Sequence, residues 1–137
     1  MSEEANVQVV REAYAAYLRG DIQSILDSLA DEVQWKAVPV EPVAGTYHGR
    51  AEVANFFEKV AGNFEFSRFE PREFIAQGDR VVVLGHYTAT ARGTGRTVDS
   101  DWAMAFTISN GKISGFQEYN DTAAVAAAFQ TTSAAAA

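Results

Sequence analysis

The chain has 137 residues, 47% of them hydrophobic and 12% aromatic, which suits one globular domain and argues against disorder. Eleven Lys and Arg against eighteen Asp and Glu give a net charge of −7, so the counterion release that drives nucleic-acid binding is not open to it. There is no cysteine, which excludes disulfides, a thiol nucleophile and thiolate zinc sites.

The N-terminus, Met1-Ser2-Glu3-Glu4, lacks the basic and apolar regions of a signal peptide. No apolar run approaches the ~20 residues of a membrane span. A soluble, cytoplasmic protein with no membrane partner is the expectation. From Val7 to Leu18 the apolar residues recur at helical spacing, and Gly20 is a natural cap at the C-terminal end. Asp21 caps a second predicted helix that carries Ile22, Ile25, Leu26 and Leu29 and ends near Ala30. Val33–Val38 alternates and predicts a strand, and Pro39 and Pro42 enforce a loop to Gly45. A third helix runs from Arg50 to about Val60, with Val53, Phe56 and Phe57 on its apolar side. Strands follow: Phe64–Phe69, with Arg72–Ala76 continuing in the same region, then Arg80–Arg92, Thr97–Ile108 and Lys112–Asn120, these separated by Gly-containing turns. Val81–Leu84 suggests burial on both faces. Asp121-Thr122 begins a short Ala-rich helix that ends near Phe129, and residues 130–137 read as a frayed tail.

Helices first and antiparallel strands after is an α+β order, with the helices covering one face of a curved sheet and a cavity between the two layers. The domain spans 1–129.

Several segments carry a family resemblance. Ala16-Tyr17-Leu18-Arg19-Gly20-Asp21-Ile22, Leu29-Ala30-Asp31-Glu32-Val33-Gln34-Trp35 and Tyr47-His48-Gly49-Arg50-Ala51-Glu52-Val53 resemble the opening half of the nuclear transport factor two-like superfamily. Gly111-Lys112-Ile113 and Tyr119-Asn120-Asp121-Thr122-Ala123 resemble its close. The chain is similar, within that superfamily, to SnoaL-like, ketosteroid-isomerase-related proteins. The resemblance implies a cone-shaped α+β fold, a mixed sheet on three N-terminal-half helices, and a homodimer formed through the sheet. It also implies an apolar pocket for a small hydrophobic or aromatic molecule, used without a cofactor. Its members include isomerases, cyclases and lyases as well as binding or dimerisation modules, so both classes stay open.

In the ketosteroid isomerases the chemistry comes from an Asp base and a Tyr/Asp oxyanion hole. Counting along the matched motifs puts these at Ala37, at Ala13 beside Tyr14, and near Ala103 or Met104. None carries the needed group, so that mechanism is not expected.

The remaining acid–base groups are few. His86 is the expected proton-transfer residue if its strand face lines the cavity, because imidazole titrates near neutrality. Glu118 shares parity with Phe116, so burial would raise its pKa and it could pair with His86. Asp121 is either a helix cap or a carboxylate at the pocket mouth. Asp99 and Asp101 alternate with Trp102, Met104 and Phe106 and read as outward-facing. For the pocket walls the candidates are Tyr14, Tyr17, Trp35, His48, Phe56, Trp102, Met104 and Phe116. Two separated histidines and no cysteine leave no expected metal site, and neither a phosphate loop nor a Gly-x-Ser-x-Gly elbow occurs.

Overall fold

Local capping sets where the first two helices begin, as a computed structural model of the protein, describing residues 2–130, shows. Helix α1 (Glu3–Leu18) starts four residues ahead of the periodic pattern. The Ser2 hydroxyl accepts from the Ala5 N–H at 3.0 Å, and Glu3 and Glu4 sit in the first turn, where the helix dipole favours negative charge. At the other end Gly20 takes φ 76°, the Gly20 N–H donates to Tyr17 and the Asp21 N–H donates to Ala16, which is a Schellman close.

Helix α2 (Ile22–Asp27) is capped by Asp21, whose carboxylate accepts from the Ser24 N–H at 3.1 Å. It stops earlier than its hydrophobic pattern suggests. Leu29 and Ala30 belong instead to β1 (Leu29–Lys36), because the Ile113 N–H captures the Ser28 carbonyl and starts a parallel pairing there. Strand β2 (Thr46–His48) is too short to show in the sequence pattern; it pairs antiparallel with β1, opposing Trp35 with Tyr47. Helix α3 spans Gly49–Asn63.

Phe64–Phe69 and its expected continuation Arg72–Ala76 form one strand, β3 (Phe64–Gln77), bent by register shifts at Phe66/Arg68 and Pro71/Glu73. Pro71 is tolerated because β3 is an edge strand, where a missing N–H costs no ladder bond. Strands β4 (Arg80–Ala91), β5 (Thr97–Ser109) and β6 (Lys112–Asn120) complete the sheet, and α4 (Thr122–Ala128) follows. The strand order is β2-β1-β6-β5-β4-β3, antiparallel except for β1 with β6. The architecture is therefore α+β, an open mixed sheet with its longer helices in the N-terminal half. The expected tail lies outside the described residues apart from Gln130. No helix among the described residues is long and apolar enough to cross a membrane.

One face of the sheet is the core. On β4 Val81, Val83, Tyr87, Ala89 and Ala91 are buried, while Val82, Leu84, His86 and Thr88 are only part-buried on the other face. The strand is thus one-sided rather than buried on both faces. Gly85 belongs to the inner row. The Trp102 indole lies directly over it, and Tyr14 and Phe69, neighbours of each other, stack against the ring at centroid distances of 5.8 and 5.2 Å. A side chain at position 85 would occupy the space the indole fills.

Candidate functional site

The cavity sits between the inner sheet face and the helices. Cross-strand register places its floor: Met104 opposes Glu118, Phe106 opposes Phe116, and Val83 opposes Met104. Residues opposite one another on an antiparallel pair point to the same side, so all of these face the helices. Helix α1 adds Tyr14 and Tyr17, and α3 adds Phe56 and Phe57 across from Trp35. Trp35 and Phe116 stack at 3.8 Å with an angle of 13° between rings, which makes one flat wall. The cavity volume is about 100 Å³.

Into this apolar space project very few polar groups. Glu118 is the one ionisable carboxyl among the lining residues, and among the described residues nothing donates a hydrogen bond to it. Desolvation alone pushes its pKa up to about 7. The Tyr14 hydroxyl donates to Met104 Sδ at 3.0 Å. The Tyr87 hydroxyl accepts from Asn120 Nδ2 at 3.3 Å, while Asn120 Oδ1 is buried without a partner. The Trp35 indole N–H is likewise buried and unpartnered. Burial and, after it, the nearby Glu118 charge raise all three lining tyrosines, Tyr17 to about 12 and Tyr14 and Tyr87 also well up, so they remain neutral donors at any working pH.

The structure brings Tyr14, Tyr17, Trp35, Phe56, Met104, Phe116 and Glu118 together at this cavity. Four candidates lie elsewhere. His86 faces the outer side of the sheet, opposite Asp101 in register, so it cannot pair with Glu118. Its Nδ1 lies 2.8 Å from Asp101 and its Nε2 2.6 Å from Asp99, and Thr88 donates to the same Asp99 oxygen. The bonds to Asp101 and Asp99 raise the imidazole pKa, which is an ion-pair role on the outer face rather than a pocket role. Asp121 caps α4, accepting from the Ala124 N–H at 3.0 Å, and does not line the cavity. His48 is exposed at the start of α3, where its N–H donates to Glu52. Trp102 does not line the cavity; it backs Tyr14 and Phe69 over Gly85.

Tyr87, Phe69 and Asn120 line the cavity although the sequence did not single them out as wall residues. Tyr87 alternates with His86, so the two cannot share a face, and reading His86 as the inward residue turns Tyr87 out. Among the described residues no group of three or more His, Cys, Asp or Glu is arranged to hold a metal ion.

Comparison with known proteins places this geometry among relatives. The SnoaL-like domain family matches residues 10–116. A crystal structure of an NTF2-like protein from Burkholderia xenovorans LB400 is 40% identical, with a TM-score of 0.87 over 95% of this chain and 99% of that one. TerC, co-crystallised with polyporic acid, is 30% identical, with a TM-score of 0.79 over 93% of this chain and 99% of that one. An uncharacterised protein of Mycobacterium tuberculosis is 25% identical over 125 residues, 90% of this chain and 95% of that protein.

Proposed function

The chain belongs to the SnoaL-like domain family, and from that premise we propose that it is a cofactor-independent proton-transfer enzyme of the isomerase, cyclase or lyase kind, acting on a small, flat, apolar molecule. The observation that carries this reading is Glu118, an unpaired carboxyl in an aromatic cavity with its pKa near 7. A base of that strength is half ionised at neutral pH, where general acid–base catalysis is most effective. TerC's co-crystallisation with polyporic acid is in keeping with a small organic ligand for this chain.

The chemistry follows from what surrounds the carboxyl. Glu118 as carboxylate takes a proton from a carbon next to a substrate carbonyl. The C–H electron pair moves into the carbonyl, and negative charge develops on its oxygen. Tyr17 makes no hydrogen bond to another described side chain and stays a neutral phenol, so its O–H can donate to that oxygen. Return of the proton from Glu118 to a different carbon completes an isomerisation, and attack of the enolate on a second carbonyl of the same molecule, whose oxygen then takes the proton from Glu118, completes a cyclisation. The stacked Trp35–Phe116 wall orients a flat substrate and excludes water from the reacting carbon.

The test is deuterium exchange at the α-carbons of a panel of small cyclic ketones in D2O, followed by NMR. The protein should accelerate exchange for at least one, and Glu118→Gln should lose about 10²- to 10⁴-fold of the rate. Equal rates for the two proteins would remove Glu118 from the chemistry. The competing class is a binding module of the same fold, favoured by Ala13, Ala37 and Met104 standing where the ketosteroid isomerases carry catalytic groups. It predicts saturable binding of a ketone with no exchange.

A further inference from the structure

The cavity is smaller than a ring-shaped ligand requires. It measures about 100 Å³, whereas an apolar cavity that takes one benzene ring has roughly 150 Å³. A flat cyclic ketone therefore enters only if a wall moves. Three helical walls are tied at both ends. At its start α1 is fastened to the β3–β4 turn, where Glu3 accepts from the Gly78 N–H and the Asn6 amide donates to the Gly78 carbonyl. The Schellman close at Gly20 holds its other end beside α2, and α2 ends where the Ile113 N–H takes the Ser28 carbonyl. On α3 the Arg50 guanidinium donates to the Leu29 carbonyl at one end, and Arg92 donates to the Ala61 carbonyl at the other. The loop after β1 is pinned where the Tyr47 hydroxyl donates to the Val43 carbonyl at 2.8 Å.

Helix α4 is held differently. Its sequence is Thr-Ala-Ala-Val-Ala-Ala-Ala, and Val125 and Ala128 are its buried residues. So short and Ala-rich a helix covers little apolar surface and is marginal by itself. Val125 is the side chain it turns into the cavity. Its start continues directly from β6 through Asn120 and Asp121. Among the described residues its last turn is held by side chains of the β4–β5 turn. The Thr94 hydroxyl donates to the Ala128 carbonyl and the Arg96 guanidinium to the Ala127 carbonyl. Next to them the Phe129 ring stands edge-on against Phe64, a lining residue, at 5.2 Å.

We propose that α4 is a latched cover of the cavity: it swings about Asn120–Asp121 when Thr94 and Arg96 let go, withdraws Val125, and closes again over the bound molecule. The inference rests on the reading of this cavity as the ligand site and adds the route into it. The hinge lies two residues beyond Glu118, so the cover opens at the end of β6 that carries the carboxyl. Such a cover has a kinetic signature. Ligand enters and leaves only through the open state, and the latch stabilises the closed state equally whether the cavity is empty or full. Weakening the latch thus raises both rates and leaves the affinity as it was. A wall that only packs against the ligand changes the affinity instead.

The test is stopped-flow mixing of the full chain with 1-tetralone, read by tryptophan fluorescence because Trp35 stands in the cavity wall, with amide hydrogen exchange alongside. In the double variant Thr94→Val, Arg96→Ala, protection of the Val125–Phe129 amides should fall about tenfold. Association and dissociation should each quicken about tenfold, with Kd unchanged within about twofold. Arg92→Ala frees α3 from the same turn and should leave both rates within about twofold. Loosened α4 amides with unchanged rates, or equal acceleration in Arg92→Ala, overturn the inference and leave the cavity as a ligand site. Unchanged protection in the double variant overturns it as well, because the latch would then not hold the helix. If 1-tetralone alters neither the fluorescence nor the exchange of any cavity residue, the ligand-site reading itself fails, and the inference with it.

Discussion

Glu118→Gln will be more stable than the unsubstituted protein at pH 8, and the advantage will shrink to nothing, or reverse, near pH 4. The carboxyl titrates at about 7 in the folded chain against an ordinary 4.5. Between those values the unfolded chain has released its proton while the folded chain still holds it, so stability falls as pH rises through the interval. Above pH 7 the folded chain carries a charge that it solvates less well than water does, and the accumulated loss is at most about 3 kcal/mol. Glutamine has no such charge; its own unpaired amide costs something at every pH and leaves the slope flat. Urea unfolding of both proteins from pH 4 to 8 measures the divergence. His86 does not confuse the comparison. Its raised pKa contributes stability that is present below about 6.5 and lost as pH rises through the folded value, equally in both proteins. Parallel stability curves would show that Glu118 reaches water in the folded state.

The second large effect is expected at Gly85. A Cβ there would collide with the Glu70 carbonyl oxygen and with the Trp102 indole, whose Cε2 would lie 2.6 Å away. Neither neighbour yields easily. The carbonyl belongs to the adjacent strand, and the indole is backed by the stacked rings of Tyr14 and Phe69. Gly85→Ala should therefore cost about 3 kcal/mol, at the upper end for overpacking a core. It should also disturb the cavity, since displacing Trp102 displaces Tyr14. Gly93→Ala is the matched control: nothing lies within 4 Å of its added methyl, and the change should stay within about 0.5 kcal/mol. Chemical denaturation of the two variants decides; a neutral Gly85→Ala would mean that the indole does not occupy the position described.

Most of the fold was legible because local chemistry and hydrophobic period agree along this chain. Gly20 closes α1 and Asp21 opens α2, both by backbone geometry that the residue types announce. Asn110 and Gly111 adopt φ of 52° and 78°, as a two-residue hairpin turn between β5 and β6 requires. What escaped was set by pairing rather than by pattern. The Ser28 carbonyl is taken by Ile113, eighty-odd residues away, and this ends α2 earlier than its own leucines suggest. Strand β2 exists only because β1 offers it an edge.

The site divides in the same manner. Glu118 and the Phe116–Phe106 pair could be placed because β5 alternates cleanly between Trp102, Met104, Phe106 and the polar residues between them. His86 could not, because Val81–Leu84 is apolar on both rows and gives no parity signal. The stretch that does carry one, Asp99 and Asp101 on β5, lies on the neighbouring strand and fixes the His86 face only once the β4–β5 register is known. With His86 paired outside, a single carboxyl is left to do what the sequence divided between a histidine and two acids.

That carboxyl is the point on which the account turns, and its titration can be read directly. The measurement is a carbon-detected NMR titration of the Glu118 side-chain carboxyl in uniformly labelled protein, assigned with Glu118→Gln. The account predicts a midpoint of about 7, well above the other glutamates. A midpoint at the ordinary 4.5 would contradict it, because a carboxyl that ionises freely is neither dry nor poised to move a proton at neutral pH.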